Sequence, residues 1–187
     1  MSPRRVTIVL VCEDKQQSAF VGRVLNGLGW DKNDIRVDIS PRADGSAEQW
    51  VRQRFCEELV AYRQRATRAA SALIAVIDAD TRSLQQRENQ FREECTANHV
   101  EFRRGDEAVA IGVPQRNIET WIHYLNGTNV DETTEYPKLE RQRDCKPATD
   151  TLVRMCKTNG LPRNAPTALG AACSEYNQRI KPLRTNA

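Results

Sequence analysis

Four short apolar runs, each followed by a segment with helical periodicity, limit the folds open to this chain of 187 residues. The runs cover residues 6–11, 35–39, 73–77 and 108–113 and are rich in valine and isoleucine. The first, third and fourth runs are nearly continuous, which is typical of strands that are buried on both faces. Strand and helix alternate four times, and this order predicts a parallel sheet flanked by helices, an α/β fold.

Helical periodicity is found after each predicted strand and again near the C-terminus. We predict helices over residues 16–28, 47–67, 82–98 and 117–125, and two more near 148–158 and 167–180. Residues 127–147, which contain Pro137 and Pro147, predict a loop. We therefore expect an α/β domain over residues 1–126, followed by a loop and a basic helical extension over residues 127–187.

The net charge of +3 conceals an uneven distribution of charged residues. Residues 138–187 carry 10 basic and 4 acidic side chains, whereas residues 1–137 carry 18 basic and 21 acidic ones. A basic C-terminal part favours a polyanionic partner, and Arg141, Arg143 and Lys146 are its candidate contacts to a nucleic-acid backbone. The alternatives are that these side chains only solvate a helix pair, and that the excess of arginine reflects GC-rich codons.

Several classes of protein are disfavoured by composition. No apolar run approaches the ~18 residues that a membrane span requires, and the first residues lack the apolar segment of a secretory signal. The six cysteines include no C-x-x-C pair and there are only two histidines, which argues against structural zinc. We expect packed free thiols, with a Cys–His catalytic pair left open. These features indicate a soluble cytoplasmic protein without a membrane partner.

Acidic residues follow three of the four predicted strands. Glu13 comes after the first strand, Asp78 and Asp80 after the third, and Glu119 shortly after the fourth. Ligands of open parallel sheets bind at the carboxyl ends of the strands, so these acids converge if the first and third strands are neighbours. Carboxylates held close together repel one another, and Mg²⁺ or Mn²⁺ relieves that repulsion. The pattern predicts a metal site suited to phosphoryl chemistry.

Each of these acids also has a purely structural interpretation. Glu13 directly precedes a predicted helix and is placed to cap it, while Asp14 suits a first helical turn. Asp78 and Asp80 are of a residue type that is common in turns. The combination of one acid after the first strand with Asp-x-Asp after the third is more specific than Asp-x-Asp alone.

Glu13 after the first strand and Asp78-Ala79-Asp80 after a later strand resemble the Toprim fold over residues 5–113. Toprim domains occur in topoisomerases, primases, recombination mediators and the nucleases of the overcoming-lysogenisation-defect family. The resemblance implies acid–base chemistry or metal binding by Glu13 and Mg²⁺ binding by Asp78 and Asp80. Thr81 departs from the Gly, Pro or third Asp often found there, which puts the second metal position in doubt.

The segment from Pro114 to Trp121 reads P-x-x-x-I-E-x-W and resembles small bacterial Toprim-like proteins of mobile-element and phage-defence loci. That resemblance implies that Glu119 is a further acidic site residue. Many such proteins are encoded beside an ATPase of the ABC or AAA type. Because this sequence contains no Walker A motif, an ATPase would have to be a separate subunit.

Three basic residues lie close to the predicted strand ends. Lys15 and Arg42 follow the first and second strands, and Arg116 stands just before a predicted helix near the acids. These are positions at which phosphate contacts are expected, and Arg116 is the strongest candidate. Solvated surface charge is the alternative for Lys15 and Arg42, and pairing with an acid is the alternative for Arg116.

The leading hypothesis is a Mg²⁺-dependent nuclease that hydrolyses phosphodiester bonds of DNA or RNA, as the effector subunit of a defence system with a separate ATPase. The second is an inactive Toprim-like binding or regulatory subunit that docks on such an ATPase. A third, a nucleotide-binding or receiver-like domain, is disfavoured because no glycine-rich loop follows the first strand. The sequence leaves open the choice of DNA or RNA, the mode of cleavage and the oligomeric state.

Overall fold

The computed structural model describes residues 6–41, 46–158 and 160–185. Its four strands are β1 (Thr7–Cys12), β2 (Ile35–Ile39), β3 (Ser71–Val76) and β4 (Val109–Gly112). They form one sheet in the order β2-β1-β3-β4, and every neighbouring pair is parallel. The predicted α/β class, a parallel sheet flanked by helices with a short helical C-terminal part, is confirmed.

The register of the strands brings their carboxyl ends to the same level. Cys12, the last residue of β1, pairs with Ile39 of β2 and with Val76 of β3. Val76 in turn pairs with Gly112, the last residue of β4. The segments that follow all four strands therefore leave the sheet at one edge.

Burial explains why the predicted strands differ in pattern. Five of the six residues of β1 are buried and all six of β3 are, because both strands lie in the centre of the sheet and are covered on both faces. The edge strand β2 has no fully buried residue, and its Val37 is exposed. The other edge strand, β4, is buried at three of its four residues, so the continuous apolar runs mark the covered strands rather than the central ones.

Helices of very different length surround the sheet and follow the predicted ranges closely. They are α1 (Lys15–Gly27), α2 (Ala47–Ala66), α3 (Leu84–Ala97), α4 (Ile118–Leu125), α5 (Lys146–Lys157), α6 (Thr167–Glu175) and α7 (Pro182–Thr185). Two details differ from the sequence expectation. A 3₁₀ turn over Gln142–Cys145 lies inside the predicted loop, and the last long helix changes to a π turn over Tyr176–Ile180.

Local hydrogen bonds fix where α1 and α3 begin. The carboxylate of Asp14 accepts a hydrogen bond of 2.9 Å from the Gln17 N–H and caps α1, so Glu13 is not the cap. Ser83 and Gln86 form a reciprocal capping box at the start of α3. Asp14 therefore has the capping role that the sequence also allowed for Glu13, and the side chain of Glu13 makes other contacts.

The buried apolar residues of the described ranges form two cores, and α1 contributes to both of them. The first joins the strands to α2 and α3 and contains Phe55 and Phe91. The second joins α1 and α4 to the C-terminal helices and contains Phe20, Trp121 and Leu169. Elements on both sides of residue 126 share this second core, and the predicted domain boundary there stays a prediction. Within the described ranges, no helix combines the length and the apolar character needed to cross a membrane.

Leu169→Ala should show how firmly the C-terminal helices belong to the fold. Leu169 on α6 is 1% exposed in the second core, so its truncation should lower the free energy of unfolding by about 2–5 kcal/mol. Chemical denaturation followed by circular dichroism measures the change. The control Val60→Ala, at a residue 39% exposed, should change stability by less than about 0.5 kcal/mol. Equal effects of the two substitutions would contradict this assignment.

Candidate functional site

A cleft with a volume of about 440 Å³ lies at the edge of the sheet where the strands end. We call it the acidic cleft, because carboxylates from after β1 and β3 line it together with a few basic residues. The described residues that line it are Glu13, Asp14, Lys15, Ile39, Ser40, Pro41, Ala47, Glu48, Asp78, Asp80, Arg116, Asn117, Glu135 and Lys138. The structure thus brings together three of the four predicted catalytic acids.

Glu13 and Asp78 are joined directly. The backbone N–H of Asp78 donates a hydrogen bond of 2.6 Å to Oε1 of Glu13, and the Glu13 N–H donates to Oε1 of Gln17 at 2.9 Å. These contacts exist because β1 and β3 are neighbours and end at the same level. The predicted convergence of the acids that follow the first and third strands is therefore present in the structure.

Asp78 holds the least satisfied carboxylate of the acidic cleft. Its Oδ1 is shielded from solvent and has no hydrogen-bond partner among the described residues. Burial raises the pKa of Asp78 well above its usual range, and the charges of Glu13 and Asp14 add to the rise. The nearby amide of Gln17 opposes it, although Gln17 Nε2 also lacks a hydrogen bond of good geometry. A cation beside Oδ1 would supply the partner that this oxygen lacks and would stabilise the ionised carboxylate.

Glu13 is perturbed in the same direction. Burial raises the pKa of Glu13 to about 7, the charge of Asp80 adds to the rise, and the hydrogen bond from Asp78 N–H opposes it. Two neighbouring carboxylates that both resist ionisation form a site that favours either a shared proton or a bound cation.

Asp80 is held in place by a buried arginine of α3. Its Oδ2 accepts a hydrogen bond of 2.7 Å from Nη2 of Arg87, whose Nε donates to the backbone oxygen of Asp78 at 2.9 Å. Nη1 of Arg87 donates to Glu48 and to Gln90, each at 3.0 Å. The side chain of Arg87 is 0% exposed, and burial lowers its pKa while the charge of Asp80 opposes that change. Arg87 thus positions both aspartates without lining the acidic cleft.

Glu119 lies deeper than the other predicted acids. It sits in the first turn of α4, is 2% exposed, and its Oε1 has no hydrogen-bond partner within the described part of the chain. Burial raises the pKa of Glu119 to about 6, and its charge contributes to the raised pKa of Asp78. Glu119 is not among the residues that line the acidic cleft, so it acts on the site through its charge.

Basic residues stand at the rim of the acidic cleft. Lys15 is exposed at the start of α1, and Arg116 forms an ion pair of 3.0 Å with Glu135 of the following loop. Lys138, from the same loop, also lines the cleft. Lys15 and Arg116 therefore have the predicted placement beside the acids, whereas Arg42 lies outside the described residues.

The predicted basic contacts of the C-terminal part lie outside the acidic cleft. Arg141 pairs with Asp144 at 3.2 Å and Lys146 with Asp150 at 2.5 Å, all on the surface, and Arg143 is exposed. The chain comes close to the start of α1 here, since Gln16 Nε2 donates to the Gln142 oxygen at 3.4 Å. The segment thus borders the rim that carries Lys15.

The donor set fits one divalent cation better than two. Within the described ranges, no group of three or more ligating side chains is arranged around a common point. Glu13 and Asp78 offer a pair of carboxylates, and Asp80 shares its Oδ2 with Arg87. Mg²⁺ is commonly held by one or two carboxylates, with water and substrate phosphate completing its shell. The orphaned Oδ1 of Asp78 is consistent with such a site.

Comparison of the chain with protein-family models, with curated proteins and with solved structures gives no match. The resemblance to Toprim proteins therefore stays a prediction, which rests on Glu13, on Asp78-Ala79-Asp80 and on the segment from Pro114 to Trp121.

Three contributors to the site were missed from sequence: Arg87, Glu48 and Lys138. One feature of the sequence indicates that Arg87 is buried. It stands four and eight residues before the buried Phe91 and Cys95 and shares their helix face. No feature of the sequence indicates a place in the site for Glu48 or Lys138, since charged residues early in a helix or in a loop are usually solvated.

Glu13→Gln should change how stability depends on pH. An acid whose pKa is raised by folding stabilises the fold below its unfolded value, and this stability is lost as pH rises from about 4.5 to about 7. Without divalent cations, the substitution should flatten this slope and add about 1–3 kcal/mol to the free energy of unfolding above pH 7. Denaturant titrations across the pH range measure it. The exposed control Glu93→Gln should leave the slope unchanged, and a wild-type slope in Glu13→Gln would contradict the assignment.

Proposed function

We propose that the protein is a divalent-metal-dependent nuclease of the Toprim-like type. The observation that carries the proposal is the hydrogen bond between Asp78 N–H and Glu13 at the ends of adjacent strands, together with a buried Asp78 Oδ1 that has no partner among the described residues. Acids at these two strand ends are the arrangement on which the resemblance rests. A cytoplasmic location, where nucleic acid is at hand, is part of the proposal.

The residues in and beside the acidic cleft would have different roles in catalysis. Asp78 and Glu13 would hold the cation, with Asp80 beside them and Arg87 fixing the loop that carries both aspartates. When bound, Mg²⁺ or Mn²⁺ supplies Lewis acidity at the phosphoryl group and lowers the pKa of coordinated water. Glu13 Oε1 accepts the Asp78 N–H, so Oε2 would be the oxygen that accepts a proton from an attacking water.

The three basic residues among the lining of the acidic cleft support a polyanionic substrate. Lys15, Arg116 and Lys138 stand at the rim, where they would contact phosphates on either side of the scissile bond. Arg116 is paired with Glu135, so a substrate phosphate would have to replace that carboxylate. Arg141, Arg143 and Lys146, near the start of α1, would extend the contact along the backbone of DNA or RNA.

A regulatory subunit without catalysis is the second candidate. The observation that favours it is the missing three-ligand cluster in the described part of the chain, together with the engagement of Asp80 by Arg87. In that case the acids would be remnants, and the chain would dock on a separate ATPase of the ABC or AAA type. Metal binding separates the two candidates.

Asp78→Asn should abolish metal-dependent cleavage without unfolding the protein. The amide keeps the shape of the side chain but loses the charge that would hold the cation, so cleavage of DNA and of RNA should fall at least about 100-fold. Labelled single- and double-stranded substrates with Mg²⁺ or Mn²⁺ provide the measurement. The exposed control Asp106→Asn should cleave like the wild type. Undiminished cleavage by Asp78→Asn would overturn the proposal.

Titration calorimetry should detect one binding event for Mg²⁺ or Mn²⁺. Binding should be tighter above about pH 7 than at about pH 5, because protons on Glu13 and Asp78 compete with the cation. Asp78→Asn should lose the event and Asp106→Asn should keep it. A wild-type protein that binds neither ion would favour the regulatory subunit over the nuclease.

A further inference from the structure

A second cleft, of about 350 Å³, lies at the opposite end of α1 from the acidic cleft. Its described lining residues are Leu28, Cys156, Lys157, Tyr176, Asn177, Lys181 and Arg184, and we call it the thiol cleft. It is bounded by the end of α1, the end of α5 and the last turns of the described chain. Nothing in the proposed nuclease chemistry uses it.

Cations surround the one thiol in this cleft. Lys157, Lys181 and Arg184 line it with Cys156, and no acidic residue is among its described lining residues. Arg184 is anchored, because Nη1 donates to the Leu28 oxygen and its guanidinium lies 5.8 Å from the centre of the Trp30 ring. A small molecule that enters the thiol cleft therefore meets three positive charges beside a sulfur atom, an arrangement that favours an anion.

Cys156 has a second thiol behind it. Cys156 on α5 and Cys173 on α6 are both half-buried, pack against the second core and line the same internal apolar cavity of about 90 Å³. The neighbouring Cys173 thiol lowers the pKa of Cys156; burial opposes this, and the charge of Lys181 adds to it. Cys156 lines the thiol cleft and Cys173 does not, so a molecule that enters the cleft meets Cys156 first. Cys156 is therefore the attacking thiol of the pair, and Cys173 is the second thiol behind it.

We propose that Cys156 and Cys173 form a thiol–disulfide exchange site for low-molecular-weight disulfides that carry carboxylates. The thiol cleft admits the disulfide, the three cations receive its carboxylates, and the paired cysteines provide one attacking and one resolving sulfur. The site is independent of the acidic cleft.

The exchange balances without a further reactant. The Cys156 thiolate attacks one sulfur of the disulfide, forming a mixed disulfide and expelling one small thiolate, which takes up a proton. Cys173 then loses its proton, attacks the sulfur of Cys156 and expels the second small thiol. Two protein thiols are oxidised to one disulfide between α5 and α6, and one small disulfide is reduced to two thiols.

The chain contains an internal comparison for this pair. The sulfur atoms of Cys56 and Cys95 lie 2.7 Å apart, but both residues are buried in the first core. The two thiols of that pair are in contact but lack access to solvent. Reaction with an external disulfide should therefore discriminate between the two pairs, since it requires an exposed thiolate.

Oxidised glutathione is the probe, with intact mass and peptide mapping as the readout on the folded protein. Wild type should gain a Cys156–Cys173 disulfide, Cys173→Ser should retain one glutathione on Cys156, and Cys156→Ser should lose both products. Adducts that appear on Cys156 no faster than on the buried Cys145, or a disulfide between Cys56 and Cys95 instead, would overturn the proposal.

A charge variant tests the carboxylate requirement. In the Cys173→Ser background, Lys157→Gln removes a cation of the thiol cleft that does not contribute to the pKa of Cys156, and it should slow glutathione addition about two- to fivefold, the size expected of one exposed charge pair. Addition from cystamine, a disulfide that carries ammonium groups instead of carboxylates, should not be slowed. Equal slowing with both probes would overturn the assignment of a carboxylate-bearing ligand.

Discussion

The guanidinium of Arg87 on α3 is fully buried and is bonded to the backbone of Asp78, to the carboxylate of Asp80 and to Glu48 of α2. Burying this charge is tolerated because it is paired and hydrogen-bonded, since a buried charge that loses its partners keeps the cost of desolvation. Arg87 therefore fixes α2, α3 and the loop after β3 relative to one another. The geometry of the acidic cleft depends on a side chain that does not line it.

The charged residues are arranged around the acidic cleft, from its centre outwards, rather than divided between an acidic N-terminal part and a basic C-terminal part. The carboxylates of Glu13 and Asp78 lie at the centre, Arg116 and Lys138 at the rim, and the basic C-terminal segment beyond it. Much of the surface charge is already paired locally, as for Arg141 with Asp144. The neighbouring carboxylates at the centre have raised pKa values. A cation would therefore bind most favourably there, because it would offset their repulsion.

The sequence predicted the sheet and the meeting of Glu13 with Asp78 because both follow from local pattern and topology. Continuous apolar runs mark buried strands, and parallel strands end at one edge. It did not predict that Asp14 caps α1, since either neighbouring acid suits that position. Nor did it predict Arg87, because its place on the apolar face of α3 is the one local signal and its partners lie far apart in the chain. The depth of Glu119 likewise depends on how α4 packs.

Asp80 and Arg116 both have left-handed backbones, with φ of 54° and 65°, and the Asp80 N–H donates to the Arg116 oxygen at 3.1 Å. Glycine adopts this conformation without the steric cost that a side chain pays there, about 1 kcal/mol or more for each residue. Glycine would avoid that cost at Arg116, whereas at Asp80 it would also remove a partner of the buried Arg87 guanidinium. The left-handed backbone at Asp80 is thus tied to the ion pair that holds its carboxylate, and the one at Arg116 is tied to a side chain that lines the acidic cleft.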